Sequence, residues 1–158
     1  AANLPKMLGF QAAGAAPIVL GHPVENPQTF ATAIRIGNPA SWQTAVQARD
    51  ESGGLIDMVT DDEIRAAYKL VATCEGLFAE PASAAGIAGV IKLARQGYFE
   101  HAKPFVGDQV RVVCILTGHG LKDPDSALKA AEEPITVEAE EDAVMDAVGL
   151  AQPEPVAV

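Results

Sequence analysis

At 158 residues, 49% of them hydrophobic, the chain fits one domain with a core of its own. Aromatic residues make up only 5%, so that core must be built from Ala, Val, Ile and Leu, as in α/β proteins with buried parallel strands. A net charge of −10 without any basic stripe argues against nucleic acid and anionic membranes as partners. No apolar stretch is long enough to span a bilayer, no signal-peptide pattern is present, and the expected location is the cytoplasm. Cys74 and Cys114 lie far apart in apolar surroundings and read as free, buried thiols of a reducing compartment. His22, His101 and His119 are isolated and no cysteine pair has metal-ligand spacing, so no metal site is expected.

In chain order, "KMLGFQAA" (6–13) reads as a short strand, followed by a polar loop with a helical turn over Ala16–Leu20. "FATAIRIG" (30–37) reads as a second strand ending at Gly37. The helix after it is expected to be capped by Asn38, with Pro39 at its first position and Gly53 and Gly54 as its stop. "LIDMV" (55–59) is a strand, and "TDDE" (60–63) has capping-box spacing for a helix burying Ile64, Ala67, Tyr68, Val71 and Ala72 and stopping at Gly76. "ASAAGIAGVIKLARQG" (82–97) is small or apolar nearly all round until Lys92 and Arg95, so the helix at about 82–96 belongs between other elements. "VRVVCIL" (110–116) is the most strand-like run and suits a central parallel strand. A short helix at about 124–131, a break at Pro134, a small acidic helix near 140–149 and a frayed tail complete the chain. The order is that of an α/β fold, in which ligands sit beyond the carboxyl ends of the strands. Two regions are expected: 1–131 as the domain proper and 132–158 as an acidic C-terminal helix and tail.

Three glycine-flanked stretches could carry chemistry: "AIRIGNPASW" (33–42), "FAEPASAAGIAG" (78–89) and "LTGHGLKD" (116–123). The first is explained largely by a turn and a capped helix. In the second, Glu80 before Pro81 is favoured at a helix start by the dipole alone. The third is harder to dismiss, because Gly118 and Gly120 bracket His119 where Thr117 would project a hydroxyl at the mouth of a sheet. It lacks the third glycine of a dinucleotide fingerprint and the Gly-Lys-Ser/Thr run of a P-loop, and His119 has no triad partner nearby. From the residues alone it is a Thr/Gly-lined site for a small ligand.

Taken together, "LPKMLGFQAAGAAPIVLG", "ATAIRIGNPASW", "VTDDEI", "FAEPASAAGIAGV" and "LTGHGLKD" stand in an order that resembles the threonine synthase family, pyridoxal-phosphate enzymes of fold type II. The resemblance covers roughly residues 4–126 and implies the C-terminal part of the large domain, a partial three-layer parallel sheet of the tryptophan synthase beta-like architecture. It implies the conversion of O-phospho-L-homoserine and water to L-threonine and phosphate, with pyridoxal 5′-phosphate as cofactor and a homodimeric parent. By this likeness Thr117 would hydrogen-bond the pyridine nitrogen and Gly118 would shape the loop beneath the ring. Glu80, Ala82 and Ser83 would lie near the ring, and Ala33 would line the substrate side. A hydroxyl suits a neutral ring nitrogen, whereas an aspartate would hold it protonated and strengthen the electron sink.

The chain also departs from the family. None of Lys6, Lys69, Lys92, Lys103, Lys122 and Lys129 stands in the Ser-Phe-Lys-Asp type of setting that holds the cofactor. The resemblance places that Schiff-base lysine, a Ser/Thr-Gly-Asn loop and a glycine-rich phosphate cup upstream of Ala1, so no catalytic residue is expected in this chain. Two other readings stand beside the fragment: a non-catalytic half-domain that complements a separate N-terminal chain, and another fold type II lyase such as a serine/threonine dehydratase. The "LTGHGLKD" turn argues against the dehydratase, in which a different glycine/serine turn is expected. The purified chain is expected to release no threonine from O-phosphohomoserine, and threonine detected in that assay would overturn this expectation of inactivity.

Overall fold

The computed structural model describes residues 4–102, 109–131 and 133–150. Two parallel strands, β1 (Leu8–Ala12) and β2 (Leu55–Val59), pair from Leu8 opposite Leu55 to Ala12 opposite Val59. Parallel neighbours need a long crossover. Here it holds the short helix α1 (Pro17–Leu20), a 3₁₀ turn at Thr32–Ile34 and helix α2 (Trp42–Ser52). Beyond β2 come α3 (Asp61–Glu75), α4 (Pro81–Arg95), 3₁₀ turns at Tyr98–His101 and Gly120–Lys122, α5 (Pro124–Ala130) and α6 (Glu141–Ala147).

The start of α3 follows from its sequence. Thr60 Oγ1 accepts the N–H of Glu63 at 3.2 Å, and the Glu63 carboxylate accepts the N–H of Thr60 at 2.7 Å, so two orphan donors are satisfied reciprocally. Gly53 and Gly76 end α2 and α3 at φ of 62° and 66°, left-handed values that favour glycine. Ile64, Ala67, Tyr68 and Val71 are buried, whereas Ala72 faces outward. The buried residues Ile64, Ala67 and Tyr68 join Ala82, Ala84, Ala85 and Ala88 of α4 in one cluster with Ala12 and Val59, the last residues of the two strands. Small side chains let α4 come close. A Cβ on Gly89 would collide with the Phe10 ring of β1.

Several expectations are corrected. The stretch 30–37 forms no strand: the Phe30 N–H donates to Asp61 Oδ2 at 2.8 Å and the Ala31 N–H to Thr29 Oγ1 at 3.1 Å, so these donors are taken before a ladder could use them. Helix α2 begins at Trp42 behind Ser41, which makes no side-chain cap bond, leaving Asn38 and Pro39 in the preceding turn. Residues 110–116 form no strand among the described residues, and Val113 and Ile115 are 79% and 74% exposed. An apolar run becomes a buried strand only when a neighbouring strand accepts and donates along its backbone, and no strand pairing with this run is found among the described residues. The described sheet therefore has two strands rather than the larger number expected. Cys74 and Cys114 are exposed, not buried, because the first lies on the outer side of α3 and the second in that exposed run. The tail at 151–158 lies outside the described residues, as does residue 132, where the second region was expected to begin.

One ion pair ties α4 to the sheet. Lys92 Nζ donates to Asp57 Oδ2 and to the Met58 carbonyl, both at 2.7 Å. Burial pushes the Asp57 carboxyl up, but the Lys92 hydrogen bond, the Met58 N–H and the charge of Lys92 together hold it below its ordinary 3.8. A depressed folded-state value stabilises the fold above the ordinary value, and that contribution is lost as pH falls through the folded one. Thermal melts of Asp57→Asn are therefore expected to lose about 0.5–1 kcal/mol relative to the parent at neutral pH, the difference shrinking in acid. A difference that grows as pH falls below 3.8 would contradict this.

Candidate functional site

The site is assembled where the start of α4 meets the loop after residue 116. Ala79 and His119 form an antiparallel bridge. The Gly120 N–H donates to the Phe78 carbonyl at 2.9 Å, and the Glu80 N–H donates to the Gly118 carbonyl at 2.9 Å. Two segments far apart in sequence are thereby clipped together by their backbones, which no local pattern could show. Between them lies Ser83, 4% exposed in the first turn of α4. Its Oγ accepts the Gly118 N–H at 2.9 Å and stands 3.1 Å from Thr117 Oγ1. The Thr117 residue is exposed.

Glu80 is the N-cap of α4 and only 5% exposed, although its side chain makes no cap bond. Its carboxylate lies against the Cα of Gly118, where a Cβ would overlap it, and Lys122 Nζ stands 3.6 Å away as its counter-charge. Gly118 is thus required by space and not by torsion, since its φ is not positive. Asp123 caps α5 by accepting the Ser126 N–H at 3.1 Å, and its other oxygen accepts from Thr32 Oγ1 at 2.9 Å. Burial raises the Asp123 carboxyl, and the bonds from Ser126 and Thr32 with the charge of Lys129 outweigh it, leaving it lowered.

Of the residues singled out from the sequence, Glu80, Ser83, Thr117 and Gly118 come together. Ala82 packs into the buried cluster. Ala33 is exposed on the 3₁₀ turn that Thr32 ties to Asp123. His119 Nδ1 accepts the Leu121 N–H at 3.2 Å and its ring stands edge-on to Phe78, a structural placement. Lys122 and Asp123 join the site without having been expected there. The Asp-Pro start of α5 is a visible cap signal, but the reach of Lys122 to Glu80 depends on the clip. Among the other lysines, Lys92 is committed to Asp57, Lys6, Lys69 and Lys129 are exposed, and Lys103 lies outside the described residues. The arrangement places an exposed, hydroxyl-bearing Thr117 beside the buried Ser83 hydroxyl. No group of three or more His, Cys, Asp or Glu residues suited to a metal ion occurs among the described residues, and no helix among them is long and apolar enough to cross a membrane.

Replacing Gly118 by Ala is expected to lower stability by about 1–3 kcal/mol through overlap with the Glu80 carboxylate. Adding Glu80→Ala should recover part of that loss in a thermal melt. Strictly additive losses would show that the two residues do not press on each other.

The family profile described as "Pyridoxal-phosphate dependent enzyme" matches residues 1–118. Threonine synthase of Mycobacterium leprae is 53% identical over 148 residues, covering 94% of this chain and 39% of that protein. Threonine synthase of Halalkalibacterium halodurans is 51% identical over 145 residues, covering 91% and 39% respectively. In Methanocaldococcus jannaschii the threonine synthase is 51% identical over 144 residues, covering 86% of this chain and 34% of that protein. The chain therefore spans between about a third and two fifths of the length of these relatives. Among solved structures, the crystal structure of a T.th. threonine deaminase aligns with a TM-score of 0.47 at 22% identity, over 56% of this chain and 34% of that one. With its profile match running from the first residue through the Thr117–Gly118 seat, the chain belongs to the pyridoxal-phosphate dependent enzyme family.

Proposed function

We propose that the chain is the C-terminal portion of a threonine synthase and carries the wall of the cofactor site that faces the pyridine nitrogen. The reading rests on one observation above the others: threonine synthases are up to 53% identical to it over 94% of its length. The parent enzyme converts O-phospho-L-homoserine and water to L-threonine and phosphate. When bound, pyridoxal 5′-phosphate supplies the electron withdrawal that stabilises negative charge on the substrate carbon.

The residues of this chain have narrower tasks. Thr117 would hold the ring nitrogen by donating a hydrogen bond from its neutral hydroxyl, which would supply no full positive charge there and so moderate the withdrawal. Gly118 keeps the loop low enough for the ring to lie close. Lys122 balances Glu80, so the buried carboxylate does not place an uncompensated negative charge beside the ring. Ala33, on the turn fastened through Thr32 to Asp123, lines the substrate side. The amine that holds the cofactor and the cup for its phosphate come from the remainder of the parent enzyme, and this chain alone is inactive.

The test is Thr117→Val in the holoenzyme that contains this chain. Loss of one hydrogen bond to the ring should lower kcat/KM about 10–100-fold and shift the absorption of the bound cofactor. Unchanged kinetics together with an unchanged spectrum would rule out Thr117 as the partner of the ring nitrogen.

A further inference from the structure

The hydrogen-bond pattern around Ser83 has a direction. Its Oγ already accepts the Gly118 N–H at 2.9 Å, so its one proton has two places to go. The Gly118 carbonyl accepts at the longer distance of 3.4 Å and also accepts the Glu80 N–H at 2.9 Å, which makes it the weaker of the two acceptors. Thr117 Oγ1 is nearer, at 3.1 Å. Once Ser83 donates to Thr117, the Thr117 hydroxyl has an acceptor position filled and its own proton must point elsewhere. Thr117 is exposed while Ser83 is buried at 4%, so elsewhere is outward.

We propose that Ser83 is a positioning residue that orients the Thr117 hydroxyl as an outward donor, through the relay Gly118 N–H to Ser83 O–H to Thr117 O–H. It gives Ser83, expected from the sequence to lie near the ring, an indirect task there. A buried hydroxyl whose accepting and donating capacity is used within the chain has little left for a ligand. The inference rests on the reading of Thr117 as the ring-nitrogen partner for its purpose, but the relay itself is a property of the chain.

Two measurements separate the relay from that reading. The first uses the chain alone, by NMR. Ser83→Ala should raise hydrogen exchange at the Gly118 amide about tenfold and convert the single Thr117 χ1 rotamer into an average, while amides of α3 keep their protection. Ser83→Thr, which restores a hydroxyl, should return both signals towards the parent. This pair keeps the test informative if the alanine variant folds poorly. An unchanged Thr117 rotamer in a folded Ser83→Ala chain, or no rescue by threonine, overturns the relay.

The second measurement uses the holoenzyme and a double-mutant cycle read from the cofactor absorption and its pH dependence. Ser83→Ala should shift the spectrum in the same direction as Thr117→Val but less, and should add nothing in the Thr117→Val background. Additive shifts would show that Ser83 acts independently and would overturn the inference while leaving Thr117 in its role. No spectral effect of Thr117→Val, with the NMR result intact, would instead refute the cofactor reading and spare the relay.

Discussion

The structure depends on how closely α4 can lie against β1 and α3. Its buried face is Ala82, Ala84, Ala85, Ala88 and Gly89, and the Phe10 ring occupies the space where a side chain on Gly89 would stand. With so few aromatic residues in the chain, burial along this face comes mainly from small side chains, Leu93 being the large one. It comes from backbones brought near enough that methyl groups and main-chain atoms pack at interior density. Larger residues along this face would push the helix off the sheet and carry its first turn away from the 117–123 loop.

That first turn is where structure becomes site. Pro81 starts the helix without an N–H to satisfy, Glu80 stands before it, and Ser83 turns inward within the same turn. The loop arriving from residue 116 is fastened by main-chain bonds at Glu80 and Gly120 and by the Ser83 hydroxyl at Gly118. Each fastening gives a polar group a partner within the chain that would otherwise be poorly solvated. No buried side-chain nitrogen or oxygen lacks a partner among the described residues. Thr117, at the edge of this network, offers an exposed hydroxyl-bearing side chain.

Local signals were legible wherever they depend on neighbours in sequence. The Thr60/Glu63 capping box, the stops at Gly53 and Gly76, the burial of Ile64, Ala67, Tyr68 and Val71, and the enclosed character of α4 all appear as expected. These features need only a turn of helix or one face of it. The failures share a different cause. "FATAIRIG" and "VRVVCIL" have strand composition, but a strand exists only if another strand meets its N–H and C=O groups. Asp61 takes the Phe30 donor in the first case, and no described strand lies beside the second. Cys114 follows the second segment into solvent exposure for the same reason.

Family membership could be read without coordinates, because a long ordered set of motifs survives without knowledge of contacts. Several helix ends could be read the same way, since capping chemistry acts within about four residues. It took the folded arrangement to reveal that Ser83 stands within hydrogen-bond reach of Thr117, that Lys122 is the counter-charge nearest Glu80 and that Gly118 is needed for room. Those relations join residues far apart in the chain, and a hydrogen bond or a steric overlap is set by distances of a few ångströms that no local pattern encodes.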